Sequence, residues 1–410
     1  DGASSRPNIV LIMTDDQGYG DLGAHGHPVL ETPNLDSLHR ESVRLTDYHV
    51  DPTCSPTRAA LLTGRYSSRT GVWHTVGGRS LLLEREETLA DVLGAHGYRT
   101  GLFGKWHLGD NAPFRPWQRG FDRVVAHGGG GIGQTPDFWG NDYFDDTYWV
   151  DGEPRSFTGY CTEVFFEEAN RFIAERDDRP FFAYISTNVA HSPRNVADRY
   201  AEPYLQAGVP EDLARFYGML TEMDGHVGAL DRFLERRGLA ENTVFVFTTD
   251  NGTAGSGYNA GLRGRKGSVY EGGHRVPFFI RYPEGEIAGG RDVETLTAHV
   301  DVLPTLIELA GIEHEPAHPL DGRSLTPLLR NQVEREWPNR TLFVHSQRIQ
   351  DPEKGRQFAV MTERWRLLPG PELYDVRTDS GQTENLAAGH PEVVDSLQDA
   401  YDRWWRSLSE

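Results

Sequence analysis

The sequence predicts an α/β fold, a sheet covered by helices on both faces, with a smaller α+β lobe at the C-terminal end. Three observations carry this. Runs such as Ile9-Val10-Leu11-Ile12-Met13 are apolar without alternation, the pattern of a strand buried on both faces. Such runs alternate with amphipathic segments of helical period, which lays helices over a sheet. From about Trp337 the pattern changes to short alternating strands followed by one helix. A chain of 410 residues has room for a large domain and a small one. The division is placed between residues 1–336 and 337–410.

Pro7 to Thr14 is the first strand, and it ends abruptly in Asp15-Asp16-Gln17-Gly18. Thr32-Pro33-Asn34-Leu35-Asp36 opens a helix that carries Leu38 and Val43 inward. Cys54-Ser55-Pro56-Thr57-Arg58 starts another, with Pro56 in the first turn, where its missing N–H costs nothing. Glu86 to Leu93 is a third helix, closed by Gly97. Tyr98 to Gly104 is a strand leading into Lys105-Trp106-His107. Residues 126–160 break the alternation. With Gly128 to Gly131 and a cluster of Trp139, Tyr143, Phe144, Tyr148 and Trp149, they read as a long excursion over one face. The alternation resumes with a helix from Glu163 to Arg176, a strand Pro180 to Ser186 and a helix Glu211 to Arg237. Strands Thr243 to Thr249 and Val276 to Tyr282 and a helix Val302 to Ala310 follow. Thr341 to His345, Gln357 to Thr362 and Arg364 to Leu368 are strands of the lobe, and Pro391 to Ser407 is its helix.

Composition narrows the function. A net charge of −20 argues against a nucleic-acid partner, whose phosphates most of the surface would repel. No apolar run approaches the roughly 20 residues of a membrane span. The polar start, Asp1 to Arg6, has no signal-peptide character, so the chain is either cytoplasmic or has lost such a segment. Two cysteines, Cys54 and Cys161, make no disulfide framework, and Cys161 reads as a core thiol near a helix start. Of 41 basic residues only Lys105, Lys266 and Lys354 are lysines. Where arginine serves as the generic cation, a remaining lysine is a candidate for a task that needs a compact ammonium.

Ligands of such sheets bind beyond the carboxyl ends of the strands. The first strand ends in Asp15-Asp16, and Thr243 to Thr249 ends in Asp250-Asn251-Gly252. Three carboxylates and an amide oxygen at one sheet edge repel one another unless a cation joins them, and hard oxygen ligands suit Ca²⁺ or Mg²⁺, not zinc. Asp250-Asn251-Gly252 alone reads equally as a turn or a cap. Lys105 and His107, at i and i+2, can point to one side of an extended segment. His191-Ser192-Pro193 follows the strand that ends at Ser186. Gly261 to Gly273 is a glycine-rich loop centred on Lys266. Cys54 stands at a helix start, where anions and developing negative charge are favoured.

The run Cys54-x-Pro56-x-Arg58, continued by Leu61-Leu62-Thr63-Gly64-Arg65, resembles the signature of type I sulfatases, whose cysteine is oxidised to Cα-formylglycine. Pro7 to Gly23, Gly104 to Leu108, His191 to Pro193, Asp250 to Gly252 and Lys266 to Pro277 extend the resemblance to the sulfatase branch of the alkaline phosphatase superfamily. In the tail, Glu372 to Val376 and Glu384-Asn385-Leu386 do the same. The resemblance implies a large alkaline-phosphatase-like domain with a mixed, mostly parallel sheet, and an antiparallel sheet in the lobe. It implies one Ca²⁺ bound by Asp15, Asp16, Asp250 and Asn251 together with an oxygen of the modified Cys54. The aldehyde at 54 would hydrate to a geminal diol, one hydroxyl of which attacks sulfur while the metal, Lys105 and Lys266 stabilise charge on the sulfate oxygens. His191, with Lys266, is then the donor to the leaving alcohol, and His107 removes the proton of the second hydroxyl. Arg58, one turn on from Cys54, can bond to the diol and to Asp15 or Asp16. The implied partners are a sulfated small molecule or glycan and a formylglycine-generating enzyme, and the implied location is periplasmic or secreted.

His74, Trp106, Trp139 and Tyr143 are candidates for the wall that holds the leaving group, the alternative being a loop packed on its own aromatics. The negative field favours a small or terminal sulfated sugar over a long polyanion, with aryl sulfates as adventitious substrates. One rival is a phosphonate monoester or phosphodiester hydrolase built on the same formylglycine, relatives that usually lack the pair in Lys105-Trp106-His107. Another is a non-catalytic sulfoglycan-binding protein, expected to have lost Cys54 or a metal ligand. A third, a redox or disulfide-linked binding protein, would join Cys54 to Cys161.

Overall fold

The structure, a computed structural model, describes residues 6–175, 177–333 and 337–408. The polar start up to Ser5, the helix end expected at Arg176 and the last residues before the expected division at 336 lie outside the described residues.

Ten strands form one sheet. In chain order they are β1 (Asn8–Thr14), β2 (Val43–Leu45), β3 (Arg99–Lys105), β4 (Arg123–His127), β5 (Thr147–Val150), β6 (Glu153–Ser156), β7 (Phe181–Ser186), β8 (Thr243–Thr249), β9 (Phe278–Arg281) and β10 (Asp292–Val293). Their order across the sheet is β10-β2-β9-β8-β1-β7-β3-β4-β5-β6. The central five, β8, β1, β7, β3 and β4, run parallel. At one side β9 is antiparallel to β8 and to β2, and at the other β5 and β6 form an antiparallel hairpin. The sheet is therefore mixed and mostly parallel.

The longer helices are α1 (Pro33–Glu41), α2 (Cys54–Thr63), α3 (Leu89–Ala95), α4 (Cys161–Ala174), α5 (Asp198–Gln206), α6 (Glu211–Arg236), α7 (Val302–Leu309) and α8 (Pro391–Ser407). Side chains alternate along a strand, so Ile9, Leu11 and Met13 join a core with α2, α3 and α7. Val10 and Ile12 join the opposite core with α1, α4, α5 and α6. Helix α2 has all ten residues buried and ends at Gly64, whose φ of +67° lets its N–H reach the Ala60 carbonyl at 2.9 Å. A helix enclosed on every side holds its first residue in a fixed place. That residue is Cys54.

The C-terminal lobe is an antiparallel sheet of β11 (Leu342–His345), β12 (Phe358–Met361), β13 (Trp365–Leu368) and β14 (Glu372–Asp375), covered by α8. Its core of Val344, Val360, Leu367, Tyr401 and Trp404 is continuous with Ala60, Tyr66 and Val300 of the larger part.

Several expected boundaries move. Val43 is buried in β2, not on α1, which stops at Glu41. Helix α3 starts at Leu89 because Thr88 and Asp91 form a reciprocal capping box, Asp91 N–H to Thr88 Oγ1 at 3.1 Å and Thr88 N–H to Asp91 Oδ2 at 2.9 Å. The excursion is shorter than 126–160, since β4 runs to His127 and residues 147–156 return to extend the sheet edge. Cys54 and Cys161 are both free and buried, which removes the disulfide-linked reading.

Candidate active site

Four segments converge beyond the carboxyl ends of the parallel strands. After β1 the chain turns at Asp16, whose φ of +67° is the left-handed conformation that aspartate tolerates better than most residues. After β8 come Asp250 and Asn251, and then Gly252, where a Cβ would lie 2.0 Å from the Gly272 carbonyl oxygen. Lys266 is carried by a loop tied down by Lys266 N–H to Thr253 O (3.1 Å) and Gly267 N–H to Pro52 O (2.7 Å). The glycines of that loop serve close packing against neighbouring backbone, since a Cβ on Gly273 would lie 2.0 Å from Ser268 O. Asp15, Asp16, Asp250 and Cys54 each offer a ligand atom, and these four atoms lie within 4.8 Å of one another, all on buried residues.

Charge is distributed tightly here. Lys105 Nζ donates to Asp15 Oδ2 at 2.6 Å, both side chains fully buried, and Lys266 Nζ donates to Asp16 Oδ1 at 2.5 Å. Arg58 grips Asp250 Oδ2 with Nε (3.1 Å) and Nη2 (2.7 Å) and bonds the Lys105 carbonyl and the Ser186 hydroxyl with Nη1. Its carboxylate partner is Asp250, not Asp15 or Asp16, which are taken by Lys105 and Lys266. Three carboxylates are thus matched by three cations. Burial raises the Asp15 carboxyl, but Lys105 and the further cations outweigh it and hold the group well below the usual range. Burial, then the charge of Asp15, raises Asp250. Asn251 donates through Nδ2 to Asp16 Oδ1 (2.9 Å) and Gly252 O (3.0 Å), leaving its buried Oδ1 without a partner. Cys54 Sγ is 3.6 Å from Asp15 Oδ1, and burial pushes the thiol up to about 12, which leaves it protonated and unreactive as encoded.

Two histidines face the same space. His107 has φ +56°, so Lys105 and His107 do not share an extended segment. Its Nε2 is 2.9 Å from the Thr75 carbonyl, an acceptor only, which assigns the proton to Nε2 and leaves Nδ1 as a buried, unpaired lone pair. Burial, reinforced by Lys105, holds this imidazole neutral. Ser55 Oγ bonds the His107 carbonyl at 2.8 Å. His191 gives its Nδ1 proton to the Ser192 carbonyl at 2.6 Å, so Nε2 is the nitrogen free to exchange. The glycine run has its reason here. A Cβ on Gly130 would lie 2.6 Å from His107 Cε1, and one on Gly131 2.9 Å from His191 Nδ1.

Above position 54 opens a cavity of about 720 Å³, lined among others by Thr53, Cys54, His107, His191 and Lys266. None of the four residues expected to form its wall lines it. Trp106 is buried in the core with its indole N–H on Phe114 O (2.9 Å), and Trp139 is fully exposed. His74 folds its Nδ1 onto the N–H of Thr75 at 2.6 Å. Tyr143 is buried and donates its hydroxyl to the His191 carbonyl at 3.0 Å. The walls are instead Thr75 to Gly78, Asp110, Gln134 and Arg348. Sequence reasoning missed Ser55, Thr75 and Ser186, which hold catalytic candidates in place. Ser55 alone carried a signal, its place inside the cysteine motif.

A second cluster, His49, Glu271 and His274, is also close enough for a metal. Its atoms are engaged otherwise: the histidine Nδ1 atoms pair at 2.9 Å, and Arg366 reaches Glu271 (2.7 Å) and Asp47 (2.9 Å). It is an ion-pair network across the lobe interface.

Buried carboxylates, two ammonium groups, a guanidinium and the buried Cys54 converge beyond the ends of parallel strands under a cavity that two histidines line. The sulfatase family model matches residues 7–312, and the one described as N-sulphoglucosamine sulphohydrolase, C-terminal, matches residues 265–403. Arylsulfatase A of Homo sapiens is 34% identical over 457 residues, spanning 96% of this chain and 86% of its own. The solved structure of Ps i-CgsB in complex with k-i-k-neocarrahexaose aligns with a TM-score of 0.88 at 27% identity, covering 98% of this chain and 93% of that one. A phosphonate monoester hydrolase of Agrobacterium radiobacter aligns at 0.67 with 25% identity, covering 97% and 96%. The chain belongs to the sulfatase family of the alkaline phosphatase superfamily, and is a sulfuric ester hydrolase.

Proposed function

We propose that this enzyme hydrolyses the sulfate ester of a small or terminal sulfated sugar to alcohol and inorganic sulfate, with residue 54 as formylglycine beside one Ca²⁺. The observation that carries the reading is the gathering of three carboxylates and Lys105 around position 54, which lines one cavity together with Lys266. The donor set suits a hard cation: Asp15, Asp16, Asp250 and the unpaired Asn251 Oδ1 would hold it together with an oxygen on residue 54. Since Arg58, Lys105 and Lys266 already balance the three carboxylates, a bound Ca²⁺ would supply surplus positive charge for sulfate oxygens.

Formylglycine, as its hydrate, supplies a carbon with two hydroxyls, one to attack sulfur and one whose proton loss expels sulfate. Lys105 and Lys266 neutralise charge on the sulfate oxygens. His191, through Nε2 and beside Lys266, protonates the departing alcohol oxygen. His107, through its free Nδ1, takes the proton of the second hydroxyl. Arg58 keeps Asp250 in place. Maturation requires a formylglycine-generating enzyme. The cavity volume lies in the range of small-ligand sites, which supports a mono- or disaccharide over an internal stretch of polymer. The division at 336/337 is proposed with it, supported by the self-contained sheet β11 to β14.

The test is sulfate release from a panel of sulfated sugars and an aryl sulfate, run beside an aryl phosphonate. Sulfate release should dominate. Faster phosphonate cleavage would move the enzyme to the phosphonate hydrolases, and tight binding without release would make it a sulfoglycan-binding protein.

A further inference from the structure

One residue of the cavity lining, Arg348, comes from the C-terminal lobe. Arg348, on the loop after β11, lines the space above position 54, and among the described residues its side chain makes no hydrogen bond or ion pair. Lys266, in the same lining, is bound to Asp16 at 2.5 Å. The chain carries 61 acidic side chains against 41 basic ones. In that background a guanidinium left without a carboxylate at the site's mouth is available to a ligand.

The backbone around it is fixed. Gln347 is 2% exposed, donates through Nε2 to the carbonyls of Glu353 (3.1 Å) and Arg356 (2.8 Å), and accepts the Glu353 N–H at 2.8 Å. On the other side the Ile349 carbonyl takes the Trp73 indole N–H at 3.3 Å, and the Gln350 carbonyl takes Arg79 Nε at 2.8 Å. These bonds also anchor the segment that supplies Thr75 to Gly78 to the cavity. The backbone that carries Arg348 is therefore held beside the cavity, and its exposed side chain has its planar fork free to take two oxygens of one anion.

We infer that Arg348 recognises a second anionic group, a carboxylate or a further sulfate, on the sugar that leaves as the alcohol. The inference rests on the sulfatase reading and names its substrate class: a sulfated sugar unit that carries another negative charge.

The experiment uses matched probes. One pair is an unsaturated chondroitin disaccharide monosulfate and the same disaccharide with its uronate reduced to an alcohol. The other is a monosaccharide as mono- and disulfate. Sulfate release is followed for wild type, Arg348→Gln and Arg348→Lys. The anion-bearing member of at least one pair should be preferred by about tenfold in kcat/KM, chiefly through KM. Arg348→Gln should lose that preference and Arg348→Lys keep part of it. The pair that responds tells carboxylate from sulfate. A second arm measures dissociation constants of the same probes by calorimetry for Cys54→Ala and for Cys54→Ala/Arg348→Gln. An anion preference in binding that vanishes with Arg348, without hydrolysis of any probe, upholds Arg348 and overturns the sulfatase reading. Hydrolysis with no Arg348-dependent preference in either arm overturns the inference and leaves the sulfatase.

Discussion

His107 and His191 are set apart by the carbonyls they meet. Thr75 fixes the proton of His107 on Nε2 and Ser192 fixes that of His191 on Nδ1, so opposite ring nitrogens face the chemistry. The two should fail differently. His191→Ala should lower kcat by about 10²–10⁴ on sugar sulfates, whose alcohols leave poorly, and by far less on nitrophenyl sulfate, whose phenolate needs no proton. Equal losses on both would deny His191 the role of acid. His107→Ala should release a single equivalent of alcohol and then stall with sulfate bound to the enzyme, seen as a burst and an intact-mass increase. Gly130→Ala, which brings a methyl against the His107 ring, should reduce kcat without unfolding the protein. The identities of these residues were legible in the motif segments, but their partners were not. Arg58 was expected on Asp15 or Asp16 and holds Asp250, because the motif does not say which of the three carboxylates its guanidinium meets.

At the scale of elements, the loop that carries Lys266 continues into Glu271 and His274, and Arg366 of β13 locks that end by reaching Glu271 and Asp47. Burial raises the Glu271 carboxyl, but Arg366 and its neighbours overcome this and lower it to about 2, against an ordinary 4.5. A carboxyl depressed by folding stabilises the protein above its unfolded pKa, and that contribution fades as pH falls from about 4.5 toward 2. Arg366→Met leaves the buried Glu271 with only Arg275 at 3.5 Å and Asp47 with only His49 at 2.9 Å, and should cost about 3–5 kcal/mol at neutral pH. The loss should shrink on acidification, as denaturant unfolding at pH 7 and pH 4 would reveal. A loss that stays the same at both values would contradict the assignment. This lock escaped sequence reading because its members, Asp47 with His49, Glu271 with His274, and Arg366, come from three separate segments. Long apolar strands such as β1, β7 and β8 were legible from their runs of buried residues. Short β2 and the β5–β6 edge were not, since three or four residues carry too little periodicity to distinguish a strand from a loop.

For the molecule as a whole, the charge of −20 and the size of the cavity act together on substrate choice. Long sulfated polymers should be cut slowly, and the rate should rise with added salt as screening shortens the repulsion. Rapid internal cleavage at low salt would oppose this. The parallel order of the sheet made the site predictable in outline, because strand ends were known to gather whatever stood after them. The contribution of the lobe was invisible: Arg348 has no motif, and only the fold brings it over Cys54. Everything at the centre depends on what residue 54 has become. The decisive measurement is peptide mass spectrometry across position 54 on preparations made with and without a formylglycine-generating enzyme, set against the kcat of each. Conversion lowers the peptide mass by about 18 Da, and activity should rise in proportion to the converted fraction and vanish at zero. Full turnover by protein whose Cys54 is wholly unmodified would contradict the account.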